Sequence, residues 1–180
     1  MKIPRRYLFA LSFAGIGFAG CRQHPAVSSQ VAAAAATVAP GEIGSQLPVF
    51  GLRDLQGHEI SSAELQGKVV LIDFWATWCQ PCKKEMPGYQ KLLDRYGPRG
   101  FVVIGFKFDT MADTEDPRKF AHRMGVRYPL AVAPDELKQR FGGIEGLPTT
   151  MLYDRQGILR KKVIGFEYTD AFESVIKKFM

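Results

Sequence analysis

The spacing of hydrophobic and polar positions changes several times along the chain, and each change marks an expected element. Residues 68–74 run apolar after Lys68, interrupted only by Asp73, which is the pattern of a buried strand. Met86, Tyr89, Leu92, Leu93 and Tyr96 then recur at intervals of three and four, predicting a helix that reaches about Tyr96. Pro87 falls inside it and is expected to kink it. A second apolar run over 100–108 predicts another strand. Residues 113–124 are amphipathic, with Pro117 acceptable in a first helical turn and Gly125 as a stop. A short strand is expected over 128–132, a short helix over 134–141 closed by Gly142-Gly143, and a strand over 147–153. Asp154-Arg155-Gln156-Gly157 turns that strand into a hairpin partner over 158–164. Thr169 is expected to cap a last helix whose inner face carries Ala171, Phe172, Val175, Ile176 and Phe179. Ahead of these, 49–52 and 55–60 read as a hairpin turned at Gly57, and 61–65 as a capped helical turn. Strand–helix–strand followed by an antiparallel hairpin and a helix predicts an α/β fold, a mixed central sheet flanked by helices.

The first 46 residues lack this patterning. Lys2, Arg5 and Arg6 precede an apolar run over 7–18, too short for the ~20 residues that span a bilayer. Residues 1–20 read as an export signal, by either the general or the twin-arginine route. The ending Phe18-Ala19-Gly20-Cys21 resembles the bacterial lipobox, with Phe18 where Leu is usual. That resemblance implies a lipid on Cys21 and cleavage before it. Residues 22–46 contain an alanine run and then Pro40-Gly41, with no apolar face to pack, and read as a flexible linker behind the anchor cysteine. The expected organisation is a lipoprotein-type signal over 1–20, anchor and linker over 21–46, and a folded domain over 47–180. The expected location is the cell envelope or periplasm, on a membrane through Cys21.

Composition narrows the function classes. At 180 residues and 46% hydrophobic content, one packed domain is expected. The net charge of +6 includes three cations of the signal, which leaves about +3. No Lys/Arg stripe with interleaved aromatics is present, so nucleic acid is not an expected partner. Three cysteines, Cys21, Cys79 and Cys82, exclude a multi-disulfide scaffold.

Cys79 and Cys82 stand three positions apart where the strand gives way to the helix. A cysteine at a helix start faces unsatisfied backbone N–H groups and the positive end of the dipole, which favour thiolate. A second cysteine one turn on can resolve a mixed disulfide formed at the first. A zinc site is not expected, because no second Cys/His pair accompanies them and His24, His58 and His122 are scattered. No nicotinamide or flavin fingerprint occurs, so no cofactor beyond the cysteine pair is expected and electrons must come from outside.

Trp78-Cys79-Gln80-Pro81-Cys82, preceded by Asp73-Phe74-Trp75 and followed far on by Leu147-Pro148-Thr149, resembles the thioredoxin superfamily. Within it the likeness is to exported TlpA/ResA-like thiol–disulfide oxidoreductases, over about residues 44–180. The resemblance implies a thioredoxin fold with an N-terminal hairpin and a central helix–strand insertion. It implies Cys79 as nucleophile, Cys82 as resolving cysteine, and a redox-active Cys79–Cys82 disulfide. Asp73 would move protons for the resolving cysteine. Glu85 matches a glutamate that ResA-like proteins place after the cysteines, and is either an acid/base or a surface charge paired with lysine. Pro148 would be the cis-proline against the disulfide, with Leu147, Trp78 and Pro81 lining the partner's path and Trp75 partly in the core. The implied function is reduction of disulfides in exported proteins, with apocytochrome c among the candidate substrates and a membrane thiol-transfer protein as electron donor. A monomer is expected. Two other readings keep the fold: a disulfide-forming oxidase, and a copper-delivery module, which commonly needs a Cys-x-x-x-Cys spacing that is not found here. The Pro-x-x-x-Thr-x-x-Cys pattern of peroxiredoxins is absent around Cys79.

Overall fold

A computed structural model describes residues 38–108 and 115–180. Cys21, the expected signal and most of the expected linker lie outside the described residues, as do 109–114. A two-stranded hairpin comes first, β1 (Gly51–Arg53) with β2 (Glu59–Ser61), shorter than expected because Asp54 turns the chain early. Its carboxylate accepts the N–H groups of Gln56 and His58, at 2.8 and 2.9 Å, which fixes the turn. The expected helical turn follows as a 3-10 segment, Ser62–Leu65.

Five strands form the central sheet: β3 (Val69–Trp75), β4 (Phe101–Lys107), β5 (Leu130–Val132), β6 (Thr149–Tyr153) and β7 (Leu159–Ile164). Their spatial order is β5-β4-β3-β6-β7. β3 runs parallel to β4 and β4 to β5, whereas β6 is antiparallel to both β3 and β7. All seven residues of β3 are buried, as the apolar run required of a strand covered on both faces.

Side-chain alternation along β3 sorts the core into two layers. Val69, Leu71 and Trp75 pack with Met86, Tyr89 and Leu92 of helix α1 (Gln80–Tyr96), and with Phe172 and Ile176 of helix α4 (Thr169–Phe179). Helix α2 (Pro117–Arg123) joins this layer through Phe120, whose ring stacks on Trp75 at 5.1 Å. Val70, Ile72 and Phe74 face the other layer, with Leu137 of helix α3 (Asp135–Arg140), Phe141, Phe50 and Ile60. Trp75 is wholly buried rather than partly so.

Other boundaries differ from expectation as well. Helix α2 starts at Pro117 because Asp116 caps it, its carboxylate accepting from the N–H groups of Arg118 and Lys119; Glu115 precedes the helix. Thr169 is the first residue of α4, and Tyr168 holds the cap position without a side-chain bond. Residues 44–46, expected to be linker, pair with the start of β7: the N–H of Gly44 donates to Leu159 O and the N–H of Leu159 to Ser45 O, both at 2.9 Å. Arg155, at the same end of the sheet, donates to the carbonyls of Gly67, Arg99 and Met180, which ties the starts of β3 and β4 to the end of the chain. No helix among the described residues is long and apolar enough to cross a membrane.

Candidate active site

The parallel strands β3 and β4 end at the same edge of the sheet, the place where α/β folds leave a crevice for chemistry. The chain leaves β3 at Trp75 and enters α1 with Cys79 at the cap position. The Cys79 sulfur accepts the N–H of Cys82 at 3.2 Å, so it satisfies an orphan donor of the first turn. Pro81 in that turn gives up a donor the helix does not need. Cys79 and Cys82 are joined in a disulfide. Both are almost fully covered; Cys79 keeps 3% of its surface and Cys82 none, so the sulfur expected to be the nucleophile stands less open than a helix start suggests. Trp78 beside them is 45% exposed.

Asp73 occupies the position of β3 that alternation assigns to the α1 layer, with Gly105 and Thr150 as its register neighbours. It is completely buried, and neither carboxylate oxygen has a hydrogen-bond partner. Burial first, and the nearby Glu85 charge second, push its carboxyl well above the usual range, with only Thr150 pulling the other way. The glycine opposite leaves no room for a compensating side chain. A Cβ on Gly105 would lie 2.4 Å from Leu130 Cδ2 and 3.0 Å from Trp75 Nε1.

Glu85, one turn after Cys82, is buried and not a lysine-paired surface charge. Its Oε1 accepts the N–H of Glu167 at 2.7 Å, while Oε2 has no partner. Burial raises its carboxyl to about 7, against the Glu167 N–H that favours the charged form. Tyr89, four residues on, places its hydroxyl 3.1 Å from Thr150 Oγ1 and so links α1 to the strand position opposite Asp73. Tyr128 is buried with an unpartnered hydroxyl, its phenol pushed up by burial and then by the Asp73 and Glu85 charges. The sequence reading missed Tyr128, Thr150 and the loop over 165–168, and treated Tyr89 as packing only. Tyr89 had a signal in its spacing of four from Glu85, and the loop had one in Phe166-Glu167-Tyr168, aromatic where a turn is usually polar.

The Leu147–Pro148 bond is cis. Pro148 is buried and its carbonyl accepts the N–H of Gly165 at 2.8 Å, while Thr149 Oγ1 donates to Gly146 O at 2.7 Å. Leu147 is half-buried and packs against both core layers; among the described residues no hydrogen bond engages its backbone. The site therefore joins Cys79, Cys82, Asp73 and Glu85 on one side of the sheet, with Pro148 at the same sheet edge. Among the described residues no group of three or more metal-ligating side chains occurs.

The sequence profile of the AhpC/TSA family matches residues 43–162. The thiol–disulfide oxidoreductase ResA of Bacillus thuringiensis (strain Al Hakam) is 33% identical over 139 residues, covering 76% of this chain and 78% of the relative. A Chlorobium tepidum structure assigned as the thiol:disulfide interchange protein DsbE superposes with a TM-score of 0.67 at 31% identity, over 76% of this chain and 96% of that one. A second structure from Chlorobium tepidum TLS, a thiol:disulfide interchange protein of the thioredoxin family, gives 0.68 at 28% identity, over 77% and 97%. These likenesses agree with the mixed sheet and flanking helices of a thioredoxin fold.

Proposed function

The chain belongs to the AhpC/TSA family and is a thiol–disulfide oxidoreductase similar to ResA, and from that premise we propose that it reduces disulfides in exported proteins while tethered to a membrane through a lipidated Cys21. The observation that carries the chemistry is the helix-start cysteine whose sulfur accepts the N–H of Cys82. In the dithiol form that N–H and the positive end of α1 favour the Cys79 thiolate. The thiolate attacks one sulfur of a substrate disulfide, forming a mixed disulfide and releasing the other sulfur as a thiolate that takes up a proton. Cys82 then gives up its proton and attacks the Cys79 sulfur, which re-forms the Cys79–Cys82 disulfide and frees the second substrate thiol. Two electrons pass from enzyme to substrate.

Asp73 accepts the Cys82 proton, since a carboxyl raised by burial lies closer to a thiol in basicity than a solvated one. Glu85, held near neutrality, exchanges that proton with the outside. Trp78, Pro81, Leu147 and Pro148 border the partner, and the unengaged backbone at Leu147 is free to pair with an extended segment. A membrane thiol-transfer donor returns the pair to the dithiol, and apocytochrome c is one candidate substrate. Peroxidase chemistry is not proposed, because Ile72 and Ala76 stand where the peroxiredoxin pattern has Pro and Thr.

The reduced protein is expected to reduce insulin with a midpoint potential below about −200 mV. A strongly oxidising potential without insulin reduction would reverse the direction to disulfide formation. Copper(I) titration is expected to show no tight stoichiometric binding, and tight binding would favour the delivery module. Cys82→Ser should trap cysteine-containing partners on Cys79. Cys21→Ala should release the protein from the membrane fraction, and retention there would remove the lipid anchor from the reading.

A further inference from the structure

The loop that joins β7 to α4 exposes two aromatic side chains beside the redox site, Phe166 at 43% and Tyr168 at 70%. Their ring centroids lie 5.0 Å apart at 78°, an edge-to-face pair. Aromatic surface left in water is unfavourable, and a contiguous apolar patch on a folded chain commonly marks an interaction site. Core packing does not use these rings, and neither does the thiol chemistry described above.

The loop is fixed from several sides. The N–H of Gly165 donates to Pro148 O at 2.8 Å, and the N–H of Glu167 donates to the Glu85 carboxylate at 2.7 Å. The Glu167 carboxylate accepts the N–H of Tyr168 at 3.0 Å and lies 3.6 Å from Lys161 Nζ. The Tyr168 carbonyl accepts the N–H of Ala171 at 3.1 Å in the first turn of α4. Just beyond, Thr169 sits so close to α1 that a Cβ on Gly88 would lie 2.3 Å from its Cγ2. The residue before the aromatic pair is therefore bonded to the cis-proline loop, and the residue between the two rings to the helix that carries the cysteines.

We propose that Phe166 and Tyr168 form a docking shelf for an apolar or aromatic residue flanking the reactive cysteine of an extended polypeptide substrate. The proposal rests on the reductase reading and names the kind of partner it requires. Continuity with the site identifies the occupant. An extended segment paired to the free backbone at Leu147 passes Pro148, and Pro148 is bonded directly to the residue before the shelf. A pre-positioned aromatic pair loses little freedom on contact, so covering it translates into affinity. A small disulfide has no flanking residue to lay on the shelf, so the shelf sorts polypeptides without altering the thiol chemistry.

The test uses three substrates: a disulfide-linked peptide with Phe beside its cysteine, the same peptide with Gly there, and glutathione disulfide. Wild type is expected to prefer the Phe peptide. A Phe166→Ala/Tyr168→Ala variant should lose about ten- to a hundredfold in kcat/KM on that peptide, mainly through KM. Its rates on the Gly peptide and glutathione disulfide, and its midpoint potential, should match wild type. Phe166→Leu/Tyr168→Phe should recover most of the preference. A folded double-alanine variant that keeps wild-type preference overturns the shelf. So does a variant whose only change is the monomer–dimer balance, which would assign the rings to a second copy of the chain. Failure of wild type to reduce any of the three substrates overturns the reductase reading, and the shelf falls with it.

Discussion

The central sheet buries an aspartate at each end, and the two have opposite surroundings. Asp154, 1% exposed, accepts the N–H groups of Gln156 and Ile158 at 2.9 Å and Arg160 Nε at 2.5 Å. Asp73 is equally covered and accepts nothing. The first carboxylate organises a turn and has its charge matched. The second is held where its charge is resisted, on the sheet face that carries the disulfide. Burial of an acid therefore says little about its purpose; what the surrounding groups offer it says much more.

The most severe challenge to this contrast is to remove the proposed nucleophile from one end and the turn from the other. Cys79→Ala should abolish insulin reduction, by more than about a thousandfold, whereas Asp154→Ala should leave the rate per folded molecule unchanged. Equilibrium urea unfolding should show Asp154→Ala destabilised by about 3 kcal/mol, since two N–H groups and a guanidinium lose their acceptor. A loss within 0.5 kcal/mol, roughly the size of an ordinary surface effect, would mean the turn holds without it.

Asp73→Asn should move the other way on stability, gaining about 1–2 kcal/mol because a buried unpartnered carboxyl is replaced by a neutral group. The same variant should slow resolution of the mixed disulfide by about tenfold or more. Greater stability at unchanged rate would make Asp73 a passenger. Glu85→Gln sharpens the comparison through pH. Between 4.5, the ordinary glutamate value, and about 7 the native chain holds a proton that the unfolded chain releases, so wild type loses stability as pH rises through that window. Glutamine keeps an acceptor for the Glu167 N–H and has no such proton. Thermal midpoints of the two proteins should agree near pH 4.5 and separate in favour of the variant above 7; parallel curves would show that Glu85 does not titrate there.

Local signals made much of this legible in the sequence. The cysteine spacing, the face formed by Met86, Tyr89, Leu92 and Tyr96, and the turn at Asp154 all depend on residues within a few positions of each other. What stayed hidden depends on contacts across long stretches of chain. Glu85 follows Lys83 and Lys84 and reads as either an acid/base or a lysine-paired surface charge until the 165–168 loop folds over it. Tyr89 meets Thr150 from 61 residues away, and nothing in either neighbourhood announces the meeting. The start of α2 was expected from 113, yet the helix begins at Pro117 because Asp116 takes the cap position.

The pairing of residues 44–46 with β7 and the clasp of Arg155 on the Met180 carbonyl bring both ends of the domain to the sheet edge opposite the disulfide. A fluorophore, fusion partner or solid support attached at either end would leave the cysteines facing away from it. The fold thus comes with a built-in handle for oriented immobilisation, whatever the chain is joined to ahead of residue 38.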